Sequence, residues 1–311
     1  MQTSDQVIFV DTWEQDEDFP VFPIGSKPKR MLRAPLDAQE HFIIPGHAYL
    51  FKTALNWQAH QIWSEIVAFR IGALLGLPVP PCFVAVDRNT GDTGVLVEFF
   101  YGYPADPQPA RLVHAVDFME RIIKDVKRGR PHALQTNMVI SRTFVDREDA
   151  VSWWAHAIAF DAMIGNADRH PENWGFLFRL GEHQQAIWEM APLFDNGTSL
   201  GYEIQEANIP AMLDPVRLSA YVNRGTHHCS WKLTDDRPGP HFELCAQFLA
   251  AHQNAGISME NVIRFAWPQI EAIVTDCMSF NVPLPFTKLR GDLVLALLKE
   301  REARLRALLG I

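Results

Sequence analysis

The feature that most constrains this chain is a polar loop, then an apolar strand-turn-strand, then a second polar turn. Residues 165–173 carry Asn166, Asp168, Arg169, His170, Glu172 and Asn173. Residues 174–194 read as two strands around a polar turn near His183, and Asp195-Asn196-Gly197 follows. A hairpin lays its two ends side by side, so Asn173 and Asp195 are expected to converge. Two oxygen-bearing side chains at one point suit a hard divalent cation, Mg²⁺ above all, which leaves other positions to water and phosphate. Asp168 precedes Asn173 in a loop just after a helix expected over 150–164, where a carboxylate can face a substrate hydroxyl.

The Asp168-to-Asn173 spacing equals that of the protein-kinase catalytic loop, in which the Asp accepts the hydroxyl proton and the Asn binds a metal. Such a site needs a strand lysine for the phosphates and a helix glutamate to hold it. Lys52, in a strand expected over 47–55, and Glu65, in a helix expected over 57–76, meet both demands. In that helix Ile62, Ile66, Phe69 and Ala73 recur at helical spacing. Strands are expected at 82–87 and 94–99 around the turn Arg88-Asn89-Thr90-Gly91. Glu98, Phe99 and Phe100 then stand where a hinge would pair its backbone with adenine. Taken singly, Asp168, Asn173 and Asp195 are ordinary turn residues, Lys52 a solvated strand lysine and Glu65 a solvated helix residue; it is their joint order that argues for chemistry.

At 311 residues, 48% hydrophobic and 21% charged, the chain has a globular composition with room for a sizeable core. A formal charge of −9 argues against direct nucleic-acid binding over the surface as a whole. Cys82, Cys229, Cys245 and Cys277 are scattered, and no secretory signal opens the chain, so a reducing cytoplasm is the expected location. No apolar run approaches the roughly 20 residues of a membrane span. Composition changes after Tyr101, where Gly102, Pro104, Pro107 and Pro109 form a loop, giving expected domains 1–103, rich in strands, and 104–311, mainly helical and ending in a helix over 289–308. The basic run Arg121, Lys124, Lys127, Arg128 and Arg130 reads as a solvated helix face. His227, His228, Cys229, His241 and Cys245 fit no standard zinc spacing, and Trp153 and Trp154 read as core. Asp161, on the helix leading into the loop, is expected to support the loop backbone.

In Asp168-x-His170-x-x-Asn173, in the hairpin after it, in Pro192-Leu193-Phe194-Asp195, and in Glu65, Ala68 and the Leu-Gly-Leu-Pro-Val-Pro run at 75–80, the sequence resembles the HipA-like kinases over about residues 25–201. The Asp-Arg-His-x-x-Asn form is also similar to the catalytic loop of phosphoinositide kinases. The resemblance implies an α+β, two-lobed protein-kinase-like fold and Mg²⁺-ATP-dependent phosphorylation of a Ser/Thr hydroxyl of a protein. It implies Asp168 as base, Lys52 on the phosphates, Asn173 and Asp195 on metal, and the adenine at Glu98, Phe99 and Phe100; by its position Glu65 would hold Lys52, and His170 reads as a donor to phosphate or, in preference, as a histidine that fixes the loop. The phosphate-covering loop would be residues 24–30, with Gly25, Ser26 and Lys27; it has one glycine and departs from the Gly-rich pattern, and Ser26 is a candidate autophosphorylation site. Asp195-Asn196-Gly197 stands where other kinases have Asp-Phe-Gly. The region before the loop is shorter than in full-length HipA toxins, so a toxin–antitoxin role does not follow, although an antitoxin-type DNA-binding protein is a candidate partner. Two further readings are a phosphoinositide or other small-alcohol kinase, and a nucleotide-binding pseudokinase.

Overall fold

The computed structural model describes residues 2–16, 29–53, 56–122 and 132–311. Among them, the N-terminal third builds a six-stranded sheet in the order β1-β5-β6-β4-β3-β2. Its strands are β1 (Ile8–Phe9), β2 (Glu14–Gln15), β3 (Lys29–Arg33), β4 (Ala48–Thr53), β5 (Cys82–Asp87) and β6 (Asp92–Glu98). All neighbours are antiparallel except β1, which runs parallel to β5. One helix, α1 (Gln61–Leu75), lies against the sheet and ends at Gly76, whose left-handed φ of 68° suits a residue without a Cβ.

Strand alternation decides what the sheet presents to α1. Tyr49, Phe51, Phe83, Ala85 and Leu96 fill a core on the far face, while Val84, Val95 and Val97 join the core that contains α1. Lys52 pairs with Val95 in register and therefore shares the α1 face. Glu98 pairs with Tyr49 and lies on the far face.

The helical part begins with β7 (Arg111–His114) and α2 (Ala115–Ile122), followed by α3 (Leu134–Phe144) and α4 (Arg147–Ile164). The hairpin β8 (Gly175–Leu180) and β9 (Ala186–Met190) comes next, pairing through Phe178 and Trp188, and β7 adds a third strand to it. Helices α5 (Ile209–Met212), α6 (Pro215–Arg224), α7 (His241–Ala251), α8 (Ala255–Asn261), α9 (Trp267–Met278) and α10 (Lys288–Leu309) complete the chain. The largest apolar cluster is continuous from α1, β5 and β6 through α4 to α10. Trp153 and Trp154 belong to it, as expected.

Several boundaries differ from the sequence reading. The strand expected over 47–55 is confined, among described residues, to Ala48–Thr53; the helix expected from 57 opens with a short 3₁₀ turn at Asn56–Gln58, and α1 begins at Gln61. Phe69 is half-buried and Ala73 exposed, while Trp63, Val67 and Arg70 are buried, because α1 is covered by the sheet on one side and by α9 on the other. Of the expected phosphate loop, Lys29 and Arg30 form part of β3, paired with Lys52 and Phe51. Gly25, Ser26 and Lys27 lie outside the described residues, as do Lys124, Lys127, Arg128 and Arg130. No helix of the described residues is long and apolar enough to cross a membrane.

Candidate active site

Three elements deliver charged groups to one point. Lys52 leaves β4 toward α1, and its ammonium donates to Glu65 Oε1 at 2.8 Å, Glu65 Oε2 at 3.1 Å and Asp195 Oδ1 at 3.1 Å. Lys52 and Glu65 are buried, whereas the Asp195 side chain is 35% exposed. Burial alone would lower the lysine pKa; the charges of Asp195 and Glu65 outweigh it, and Lys52 is held above the ordinary lysine range as a permanent cation. Asp195 has a φ of 56°, a left-handed conformation that costs a non-glycine residue energy and marks a constrained site. Gly197 follows where a Cβ would press to 3.2 Å on the Gln61 carbonyl of α1.

The loop after α4 is organised around its own side chains. Gly165 closes the helix with a φ of 73°. Asn166 Oδ1 accepts from the Asp168 amide at 3.0 Å, and Asn173 Nδ2 donates to the Asp168 carbonyl at 2.7 Å. That second bond fixes the Asn173 amide with its oxygen turned away from the loop carbonyl. The Asp168 side chain is 42% exposed, accepts from Thr198 Oγ1 at 3.4 Å, and has His170 Nε2 at 3.9 Å. His170 Nδ1 accepts from the Glu172 amide, and its carbonyl from the Asn173 amide, so its bonds fix the loop. Trp174, just after the loop, packs edge-on against Trp154 of α4, while Trp153 Nε1 donates to Ala191 beyond β9; both ends of the hairpin are thus pinned to the same helix.

Arg169 is the residue that sequence reasoning missed. It is fully buried, and all five of its N–H donors are used. Nε and Nη2 hold the two Asp161 oxygens at 3.1 and 2.7 Å; Nη1 holds the carbonyls of Asn173 at 3.2 Å and Phe194 at 2.6 Å; Nη2 also reaches Asn196 Oδ1 at 2.6 Å. One guanidinium therefore joins the two ends of the hairpin, holding the backbone at Asn173 and at Phe194 to the same nitrogen. The Asp161 carbonyl accepts from the Asn166 amide of the loop backbone at 2.9 Å, as expected, and its side chain binds the loop through Arg169 and the Asn166 side chain. Burial raises the Asp161 pKa, but Arg169 and His227 overcome this and keep it well below the usual carboxylate range. Burial opposes charge on His227, while Cys229 and Asp161 favour it, with a net rise to about 10. A signal was present in the sequence: Asp161 interrupts an apolar helix, and a buried carboxylate requires a cation nearby. His227 and Cys229, among the residues that fit no zinc spacing, serve this network: His227 bonds to Asp161 at 3.0 Å and to Cys229 Sγ at 3.1 Å.

The expected hinge is only partly available. The Glu98 amide donates to Pro81, the Phe99 amide to Ala48, and the Phe99 carbonyl accepts from His47 Nε2 at 2.6 Å, so these groups are spent on the sheet. The Glu98 side chain is buried against Tyr103 on the far face, which raises its pKa by burial. The Phe100 ring stacks on Phe194, beside Asp195. Leu193, in the Pro-Leu-Phe-Asp run, donates its amide to Pro78 of the Leu-Gly-Leu-Pro-Val-Pro run at 2.6 Å, so the two sequence motifs are neighbours in space.

This chain is similar in structure to the Helicobacter pylori proinflammatory kinase CtkA, with a TM-score of 0.74 at 18% identity over 98% of this chain and 96% of that one. It is also similar to HipA of the Shewanella oneidensis MR-1 toxin–antitoxin system, solved with HipB and operator DNA: TM-score 0.57, 16% identity, 94% of this chain and 66% of that chain. No curated protein matches it in sequence. The sequence profile of the HipA-like C-terminal domain matches residues 24–276, farther along the chain than the motifs by themselves reach. The chain therefore belongs to the HipA-like C-terminal domain family, with the fold of the HipA-like kinases.

Proposed function

We propose that the chain is an ATP-dependent kinase that transfers the γ-phosphate to a Ser/Thr hydroxyl of a protein, with a small lobe over 1–103 and a larger one over 104–311. The observation that carries the reading is Lys52, held at once by Glu65 and Asp195, beside a loop that presents Asp168 and Asn173. Lys52 is permanently charged and fixed in position, as a group that offsets phosphate charge must be. Asp168 is the exposed carboxylate of the loop and orients the acceptor hydroxyl as it loses its proton. His170 positions the loop. Asn173 and Asp195 supply an amide and a carboxylate oxygen, the donor set of Mg²⁺. When bound there, Mg²⁺ would neutralise charge on the transferred phosphate. The Glu98-Phe99-Phe100 segment would take the adenine, with the Phe100 ring stacked on Phe194 beside Asp195. Gly25, Ser26 and Lys27, in the segment before β3, would cover the phosphates, with Ser26 an autophosphorylation candidate.

Asp168→Asn tests the reading. Transfer should fall by about 10²–10⁴-fold, the range for loss of a positioned general base, with ATP affinity within about twofold of wild type. Undiminished transfer in this variant would remove the assignment.

A further inference from the structure

In this reading catalysis depends on Glu65 staying on Lys52, and so on where α1 is held. Glu65 is on the face of α1 that meets β4. At 3.6 residues per turn, Trp63 and Arg70 project about 160° and 140° around the helix from Glu65, on the opposite side. Both are buried, at 0% and 1% exposure.

Each has a specific partner in α9 or in the segment between α9 and α10. Trp63 Nε1 donates to the Leu284 carbonyl at 3.0 Å, and its ring packs against Phe280 and Phe286, with centroids 6.1 and 5.3 Å away. Leu284 in turn donates its amide to Thr93 Oγ1 of β6 at 2.9 Å, so the segment between α9 and α10 grips both the helix and the sheet. Arg70 forms an ion pair with Asp276 of α9, lies over the Phe280 ring at 5.5 Å, and donates to the Gln2 carbonyl at 2.9 Å. Ser64 Oγ donates to the Ser199 carbonyl at 2.8 Å, and Asn261 Nδ2 to the Leu75 carbonyl at 3.2 Å. A helix fixed from two sides by buried, directional contacts has little freedom to swing.

We propose that Trp63 and Arg70, through Leu284 and Asp276, are positioning residues that hold Glu65 on Lys52, so that the α9–α10 segment sets the catalytic alignment of α1. This inference rests on the kinase reading for its consequence and on the contacts alone for the anchoring.

The test uses the full chain with Trp63→Phe and Asp276→Ala combined, in wild type and in Glu65→Gln. Trp63→Phe keeps an aromatic ring and buried Arg70 keeps its bond to the Gln2 carbonyl; Asp276→Asn alone, which keeps an oxygen acceptor for Arg70, is the milder substitute if the combined variant does not fold. Amide exchange within α1 should accelerate about tenfold or more. The kcat/KM for ATP should fall about tenfold in wild type, yet less than twofold in Glu65→Gln, where the positioned group is already lost. Unchanged α1 exchange overturns the anchoring. An equal loss of kcat/KM in both backgrounds overturns the route through Glu65. If wild type transfers no phosphate, the kinase reading fails separately, and exchange alone decides the anchoring.

Discussion

Asp161 and Arg169 make a fully buried ion pair beneath the candidate catalytic loop, with His227 on the same carboxylate. Taking two charges out of water is costly, but removing one partner costs more, because the other is stranded. Asp161→Asn should therefore destabilise the protein by about 3–5 kcal/mol, measured by denaturant unfolding, and lower any transfer activity, since Arg169 also holds Asn173 and Phe194. The raised pKa of His227 has its own signature. The folded protein retains a proton on His227 from the unfolded value of 6.5 up to about 10. The stabilisation is complete below pH 6.5 and lost as pH rises toward 10. The melting temperature should fall across that window, and His227→Gln should flatten the slope; an unaltered slope would show that His227 is not the titrating group. At this scale the sequence carried much of the site. Asp168, Asn173, Asp195, Lys52 and Glu65 are at telling spacings, whereas Arg169 acts through bonds to residues up to 27 positions away that no local pattern encodes.

The site is a junction of elements: Lys52 from β4, Glu65 from α1 and Asp195 after β9. Lys52→Met should leave buried Glu65 uncompensated, costing about 3–5 kcal/mol of stability in denaturant unfolding, and should also raise the KM for ATP. Survival of full stability would mean that the three groups do not act as one unit. Strands β5 and β6, helices α1, α4 and α10, and the β8–β9 hairpin were legible, because each carries its own periodicity and stop signals. Strands β1, β2, β3 and β7 were not. The first two have only two residues each, and the Lys29–Arg33 segment reads as a basic loop until its pairing with β4 is known. The pairing of Phe99 was not legible for the same reason: its amide and carbonyl are taken by Ala48 and His47, which lie about fifty residues earlier. The faces of α1 were misjudged because periodicity reveals one buried side, while the second depends on α9, some two hundred residues later.

Across the whole molecule, a sheet and a set of helices share one continuous core, and the charged groups gather where the β4–α1 pair meets the loops around the hairpin. Binding of Mg²⁺-ATP should stabilise the folded state by mass action, about 2.7 kcal/mol at a hundredfold excess over Kd, and Asp195→Asn should lose most of the Mg²⁺-dependent part in thermal shift. An equal shift in the variant would remove Asp195 from the metal set. Family and fold were readable from two short motifs, Asp-x-His-x-x-Asn and Pro-Leu-Phe-Asp, because phosphoryl transfer demands fixed chemistry in fixed order; the acceptor is chosen by surfaces with no such code. The most direct test of the central claim is incubation of wild type and Asp168→Asn with Mg²⁺ and γ-labelled ATP, read by intact mass and phosphosite mapping. The account predicts label on serine or threonine in wild type alone, with Ser26 among the candidate sites. Equal labelling of both proteins, or none in wild type and in every protein offered to it as acceptor, would contradict it.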